Sequence, residues 1–113
     1  MLYTRKGDAG TSGLYGTKER WSKDHRIFNA LGTLDELNSF LGVCRSHALS
    51  RNRRRVSIAR EILRIQETLF ILQAEIALSR KAVTLAHVRE MEKTIHRLEK
   101  VIPEPRTFII PGA

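Results

Sequence analysis

Residues Val56–Ser79 read VSIAREILRIQETLFILQAEIALS. Ile58, Ile62, Ile65, Leu69, Leu72 and Ile76 recur at steps of four and three, the period of one helix face. Leu63, Phe70, Ala74 and Ala77 widen that face. The pattern predicts a helix over Val56–Ser79, buried on more than one side. A helix this apolar needs neighbours, and the same periodicity supplies two.

Upstream, Leu34, Leu37, Leu41, Cys44 and Ala48 share a helical stripe. Thr33 and Glu36 have the spacing of a capping box, where each side chain satisfies the other's free backbone N–H. A helix starting at Thr33 is therefore expected, with Asp35, Asn38 and Gly42 along a polar flank. Cys44, on the stripe, reads as inert core. Ser50–Arg55 (SRNRRR) reads as a charged connection. Downstream, Val88, Met91, Ile95, Leu98 and Ile102 mark a third helix over Leu85–Val101, which Pro103 and Pro105 stop. Thr107–Ala113 (TFIIPGA) reads as an apolar, extended tail.

Three long amphipathic helices with short connections predict an all-α, antiparallel helical bundle. The breadth of the second apolar face calls for further helices or subunits around it. One domain is expected over residues 1–113: an irregular loop over 1–26, helices within 33–102 and a tail over 103–113. A short strand is expected at Leu2–Arg5.

The 113 residues fit one domain, able to bury roughly two-thirds of its unfolded surface. Hydrophobic residues are 42% and charged residues 28%, which excludes a disordered chain. No apolar run approaches the roughly 20 residues that span a bilayer, and MLYTRKGDAG carries no apolar core of the signal-peptide kind. One cysteine excludes an internal disulfide framework, so a reducing, cytoplasmic setting is expected. The formal charge of +8 invites a nucleic-acid partner. However, residues 45–64 alone hold seven arginines and one glutamate, so the basicity is local. The cluster Arg51, Arg53, Arg54, Arg55, Arg60 and Arg64 has no interleaved aromatics for base stacking. No nucleic-acid partner and no membrane are expected.

Two segments carry candidate chemistry. Thr4–Gly16 (TRKGDAGTSGLYG) places glycines at 7, 10, 13 and 16, which let a backbone approach a ligand and turn N–H groups toward it. Thr4, Thr11 and Ser12 add hydroxyls, and Arg5 and Lys6 add charge. This is the chemistry of a polyphosphate cradle, although no Walker A pattern occurs; a flexible tail is the other reading. In Ser22-Lys23-Asp24, Lys23 can meet a phosphate and Asp24 can hold a magnesium water, or the three form a solvated turn. Asp35 and Asn38 can face a site or a partner's arginine, or Asp35 simply complements the helix dipole. The histidines at 25, 47, 87 and 96 share no metal-ligand spacing.

Taken in order, YTRKGDAGTSGLYG (3–16), SKD (22–24), ALGTLDELNSFLG (30–42), IQETLFILQAEIA (65–77) and FIIPG (108–112) resemble the PduO-type ATP:cob(I)alamin adenosyltransferases over the whole chain. The resemblance implies a ferritin-like five-helix bundle assembled as a homotrimer, with sites between subunits. It implies that ATP, carrying Mg2+, lies on the N-terminal loop with cobalamin above it as co-substrate. Thr4, Arg5, Gly7, Asp8, Gly10, Thr11, Ser12 and Gly13 would wrap the nucleotide, and Lys23 would pair with phosphate. Asp35 would anchor an arginine across the interface, Asn38 would support that flank, and Phe108 would press on the lower face of the corrin. Family members continue past the FIIPG-like segment into helices that carry arginines for the triphosphate. A fragment of a longer chain, a shortened non-catalytic ATP- or corrinoid-binding module, and complementation by another chain all remain open.

Overall fold

The computed structural model describes residues 3–51 and 56–111, the side chains of Ser50 and Arg51 excepted. Its elements are strands β1 (Thr11–Gly13) and β2 (Arg20–Ser22), then helices α1 (Arg26–Arg51), α2 (Val56–Ile76) and α3 (Leu85–Glu99). The described chain is thus mostly helical, as expected. It forms two compact units, Met1–Val83 and Thr84–Ala113. No helix among the described residues is long and apolar enough to cross a membrane.

In the first unit α1 and α2 pack antiparallel. Asp35 meets Gln73, while Gly42, two turns further along α1, meets Gln66, one heptad earlier on α2. Ala59, Gln66 and Gln73 are seven residues apart and share a face. Ala59 is only 2% exposed. An Ala59→Leu substitution should therefore overpack this seam and cost about 1–3 kcal/mol. The expected readout is a lower denaturant midpoint at unchanged slope.

Three expectations are corrected here. First, α1 begins at Arg26, seven residues before Thr33. Ile27, Phe28 and Leu31 extend the partly buried face upstream, and His25 Nδ1 accepts the Ile27 N–H at 3.3 Å, satisfying a first-turn donor. Thr33 sits mid-helix, where its hydroxyl donates to the Asn29 carbonyl at 2.9 Å, so the Thr33–Glu36 capping box is not made. Second, the helix is rotated relative to the expected stripe. Leu34, Leu41 and Ala48 turn inward together with Asn38 and Gly42, whereas Leu37 and Cys44 are exposed. Cys44 is therefore not core. Third, Tyr3–Arg5 forms no strand. Arg5 adopts a left-handed backbone (φ 60°), which ends any extended run.

Helix α2 stops at Ile76 rather than Ser79. Leu78 takes the left-handed position (φ 63°) that closes a helix. The Leu78 N–H bonds the Glu75 carbonyl and the Ser79 N–H bonds the Ala74 carbonyl, each at 2.9 Å. This chain buries only part of the broad apolar face: Ile58 and Phe70 remain more than half exposed. Phe70 carries the Lys81 ammonium 4.9 Å from its ring centroid.

In the second unit, α3 starts at a cap. The Thr84 N–H donates to His87 Nδ1 at 3.0 Å, and the His87 N–H returns to the Thr84 carbonyl. The helix ends at Glu99, ahead of Pro103. Its stripe of Val88, Met91, Ile95 and Leu98 stays exposed, and the tail through Pro111 is exposed, with bends and no helix or strand. The arginine cluster falls mostly outside the described residues; within them, Arg64 pairs with Glu61 at 3.5 Å.

Candidate nucleotide-binding loop

The N-terminal segment is a built loop rather than a flexible tail. Strands β1 and β2 pair antiparallel, with Thr11 opposite Ser22, Ser12 opposite Trp21 and Gly13 opposite Arg20. Before them the chain makes two tight turns, closed by the Asp8 N–H to the Arg5 carbonyl and the Gly10 N–H to the Gly7 carbonyl, both at 3.2 Å. Gly10 has φ 79°, a conformation that favours glycine.

A backbone hydrogen bond ties this hairpin to the end of α2. Leu14, just after β1, is buried. The Gly16 N–H then donates at 3.1 Å to the carbonyl of Ala77, one of the groups freed at the end of α2. The approach is so close that a β-carbon at Gly16 would collide with the Leu78 carbonyl and lie 2.6 Å from the Leu78 Cβ.

Lys23 belongs to the same loop. Its N–H donates to the Gly10 carbonyl at 2.9 Å. Its side chain lies against Gly7, where a β-carbon would sit 3.2 Å from both Cε and Nζ. Thus Gly7, Gly10 and Lys23, widely separated in sequence, form one surface. Thr4 accepts the Lys6 N–H at 3.4 Å. Arg5 donates to the Tyr3 hydroxyl at 3.2 Å, with its guanidinium 5.3 Å from the Tyr3 ring centroid. Thr11, Ser12 and Gly13 form β1, and Asp8 is exposed on the turn.

Asp35 and Asn38 stand on α1, and their contacts run to α2. The Gln73 side chain donates to Asp35 Oδ1 at 2.7 Å. The Gln66 amide donates to the Asn38 carbonyl at 3.1 Å, leaving Asn38 Oδ1 and Gln66 Oε1 buried with no partner among the described residues. Phe108 belongs to the second unit, where it is 91% exposed. That unit also presents a basic strip on α3, with Arg89, Lys93, His96 and Lys100 beside Glu92.

Arg20, Gln66 and Gln73 were not singled out by sequence reasoning. The glutamines left a signal: two polar residues seven apart on a very apolar helix, opposite the polar flank of α1. Arg20 left none, since an arginine in ERWSKD is indistinguishable from a solvated one.

The chain is thus a helical protein with a glycine-rich hairpin docked on a helix end and a lysine side chain laid over Gly7. The chain belongs to the cobalamin adenosyltransferase family, whose model matches residues 2–113. It is 37% identical over 118 residues to a corrinoid adenosyltransferase of Citrobacter freundii, covering 98% of this chain and 64% of that protein. It is 36% identical over 115 residues to one from Bacillus subtilis, covering 98% of this chain and 58% of that protein. Among solved structures, a variant PduO-type ATP:corrinoid adenosyltransferase from Lactobacillus reuteri, complexed with cobalamin and ATP, superimposes with a TM-score of 0.84. It shares 26% identity and covers 99% of this chain and 62% of that one. A second variant from that organism, complexed with ATP, gives a TM-score of 0.83 at 29% identity, covering 98% of this chain and 63% of that one. The chain therefore spans less than two-thirds of these relatives.

Proposed function

We propose that the chain forms the nucleotide-binding part of a corrinoid adenosyltransferase, which moves the 5′-deoxyadenosyl group of ATP to cob(I)alamin. The observation that carries this reading is the Lys23 side chain laid across Gly7 in a loop docked on α2. The triphosphate would lie on this loop, with Lys23 against its negative charge. Mg2+ would ride on the phosphate oxygens; the exposed carboxylates of Asp8 in the turn and Asp24 beside Lys23 suit its waters.

In this reaction the reduced cobalt of the corrinoid substrate attacks C5′ of ATP. A cobalt–carbon bond forms, the C5′–O bond breaks, and the electron pair leaves with triphosphate. The corrinoid substrate brings the nucleophile, so the protein's work is to hold the reactants in line and screen the leaving charge. Phe108, with its ring exposed, would press on the lower corrin face and keep the cobalt four-coordinate. Asp35 would hold an arginine of a neighbouring subunit in a homotrimer, with Gln73 fixing its carboxylate and Asn38 supporting the flank. A reducing compartment such as the cytoplasm suits the cob(I)alamin substrate.

The test is anaerobic incubation of the natural-length protein with MgATP and reduced cobalamin, followed spectroscopically. Adenosylcobalamin and triphosphate should appear in equal amounts. MgATP binding without product would instead identify a non-catalytic binding module.

A further inference from the structure

Arg20 is exposed at the start of β2, yet its guanidinium makes three hydrogen bonds, all to the loop. Nη2 donates to the Lys6 carbonyl at 2.6 Å and to the Thr11 carbonyl at 2.9 Å, and Nε donates to Thr11 Oγ1 at 3.1 Å. An exposed arginine ordinarily meets water or a carboxylate. Here the neighbouring Glu19 carboxylate accepts the Trp21 indole N–H instead, at 3.2 Å. Among the described residues no ion pair involves Arg20.

The placement of the acceptors matters. Lys6 precedes the Gly7–Gly10 turn and Thr11 follows it. One planar fork therefore ties both ends of the turn, while Lys23 holds its middle through the Gly10 carbonyl and Gly7. Carbonyl oxygens carry partial negative charge that would repel a polyphosphate. Hydrogen bonds from a guanidinium both fix two of them and offset that charge. A lysine cannot replace the fork, because one ammonium is a point charge without planar, paired donors.

We infer that Arg20 is a positioning residue of the nucleotide site, holding the turn in the shape that receives the triphosphate. This rests on the nucleotide-loop reading above. The test compares wild type, Arg20→Met and Arg20→Lys in the natural-length protein. MgATP affinity and corrinoid affinity are measured by calorimetry, the KM for ATP and kcat by turnover, and stability by thermal midpoint. Both variants should weaken MgATP binding about tenfold and raise the KM for ATP, with kcat at saturating ATP held within about twofold. Corrinoid affinity should be unchanged and the thermal midpoint should move by less than about 3 °C. Wild-type affinity in Arg20→Met would overturn the inference, and so would full rescue by Arg20→Lys, which would mean that charge alone suffices. Equal loss of both ligands with a large fall in midpoint would make Arg20 merely structural. If wild type itself binds no MgATP, the nucleotide-loop reading fails with it.

Discussion

Gly16→Ala should abolish high-affinity MgATP binding and lower stability together. The added methyl would enter the space of the Leu78 carbonyl and lie 2.6 Å from the Leu78 Cβ and 2.7 Å from its carbonyl carbon. The obstacle is mainly backbone, so no side-chain rotation relieves it. That backbone is also committed elsewhere, because Leu78 and Ser79 close α2 through their own hydrogen bonds. The hairpin must therefore lift from the helix end and lose the Gly16–Ala77 hydrogen bond. We expect a loss of about 3 kcal/mol, at the upper end of overpacking costs, and a fall in MgATP affinity of more than about tenfold. Denaturant unfolding and calorimetry on the same sample measure both. A binding-competent Gly16→Ala protein of unchanged stability would mean that the loop does not depend on its dock.

Lys23→Ala should give the opposite pattern, a large loss of function with stability intact. Lys23 is exposed and makes no ion pair among the described residues, so truncation should change stability by no more than about 0.5 kcal/mol. Its backbone bond to Gly10 survives the substitution. The lost element is one ammonium against the triphosphate, a charge-assisted contact of about 1.5–3 kcal/mol. The expected loss in kcat/KM for ATP is therefore about 10- to 100-fold. Turnover at varied ATP, beside a melting curve, separates this from the Gly16 effect. Unchanged kinetics would remove Lys23 from the site.

The helices were legible because their signal is periodic. The apolar steps at Ile58–Ile76 and Val88–Leu98 placed α2 and α3 within a few residues. The start of α1 was less legible, because Thr33 and Glu36 imitate a cap. The true cap is a histidine, His25, a residue type that is not an ordinary N-cap signal. The loop glycines were visible, but their separate tasks were not. Gly10 answers to a backbone angle, Gly7 to the Lys23 side chain and Gly16 to the end of a helix about sixty residues away. Docking of that kind leaves no local pattern. Arg20 was silent for the same reason, since two of its three acceptors are carbonyls that any sequence supplies.

A crystal structure of the natural-length protein with MgATP tests the central claim most directly. The triphosphate should lie on the Gly7–Gly13 loop with an oxygen within hydrogen-bond reach of Lys23 Nζ, and the Arg20 bonds to Lys6 and Thr11 should be intact. A triphosphate seated instead on the basic strip of α3, with the loop free of nucleotide, would contradict the account.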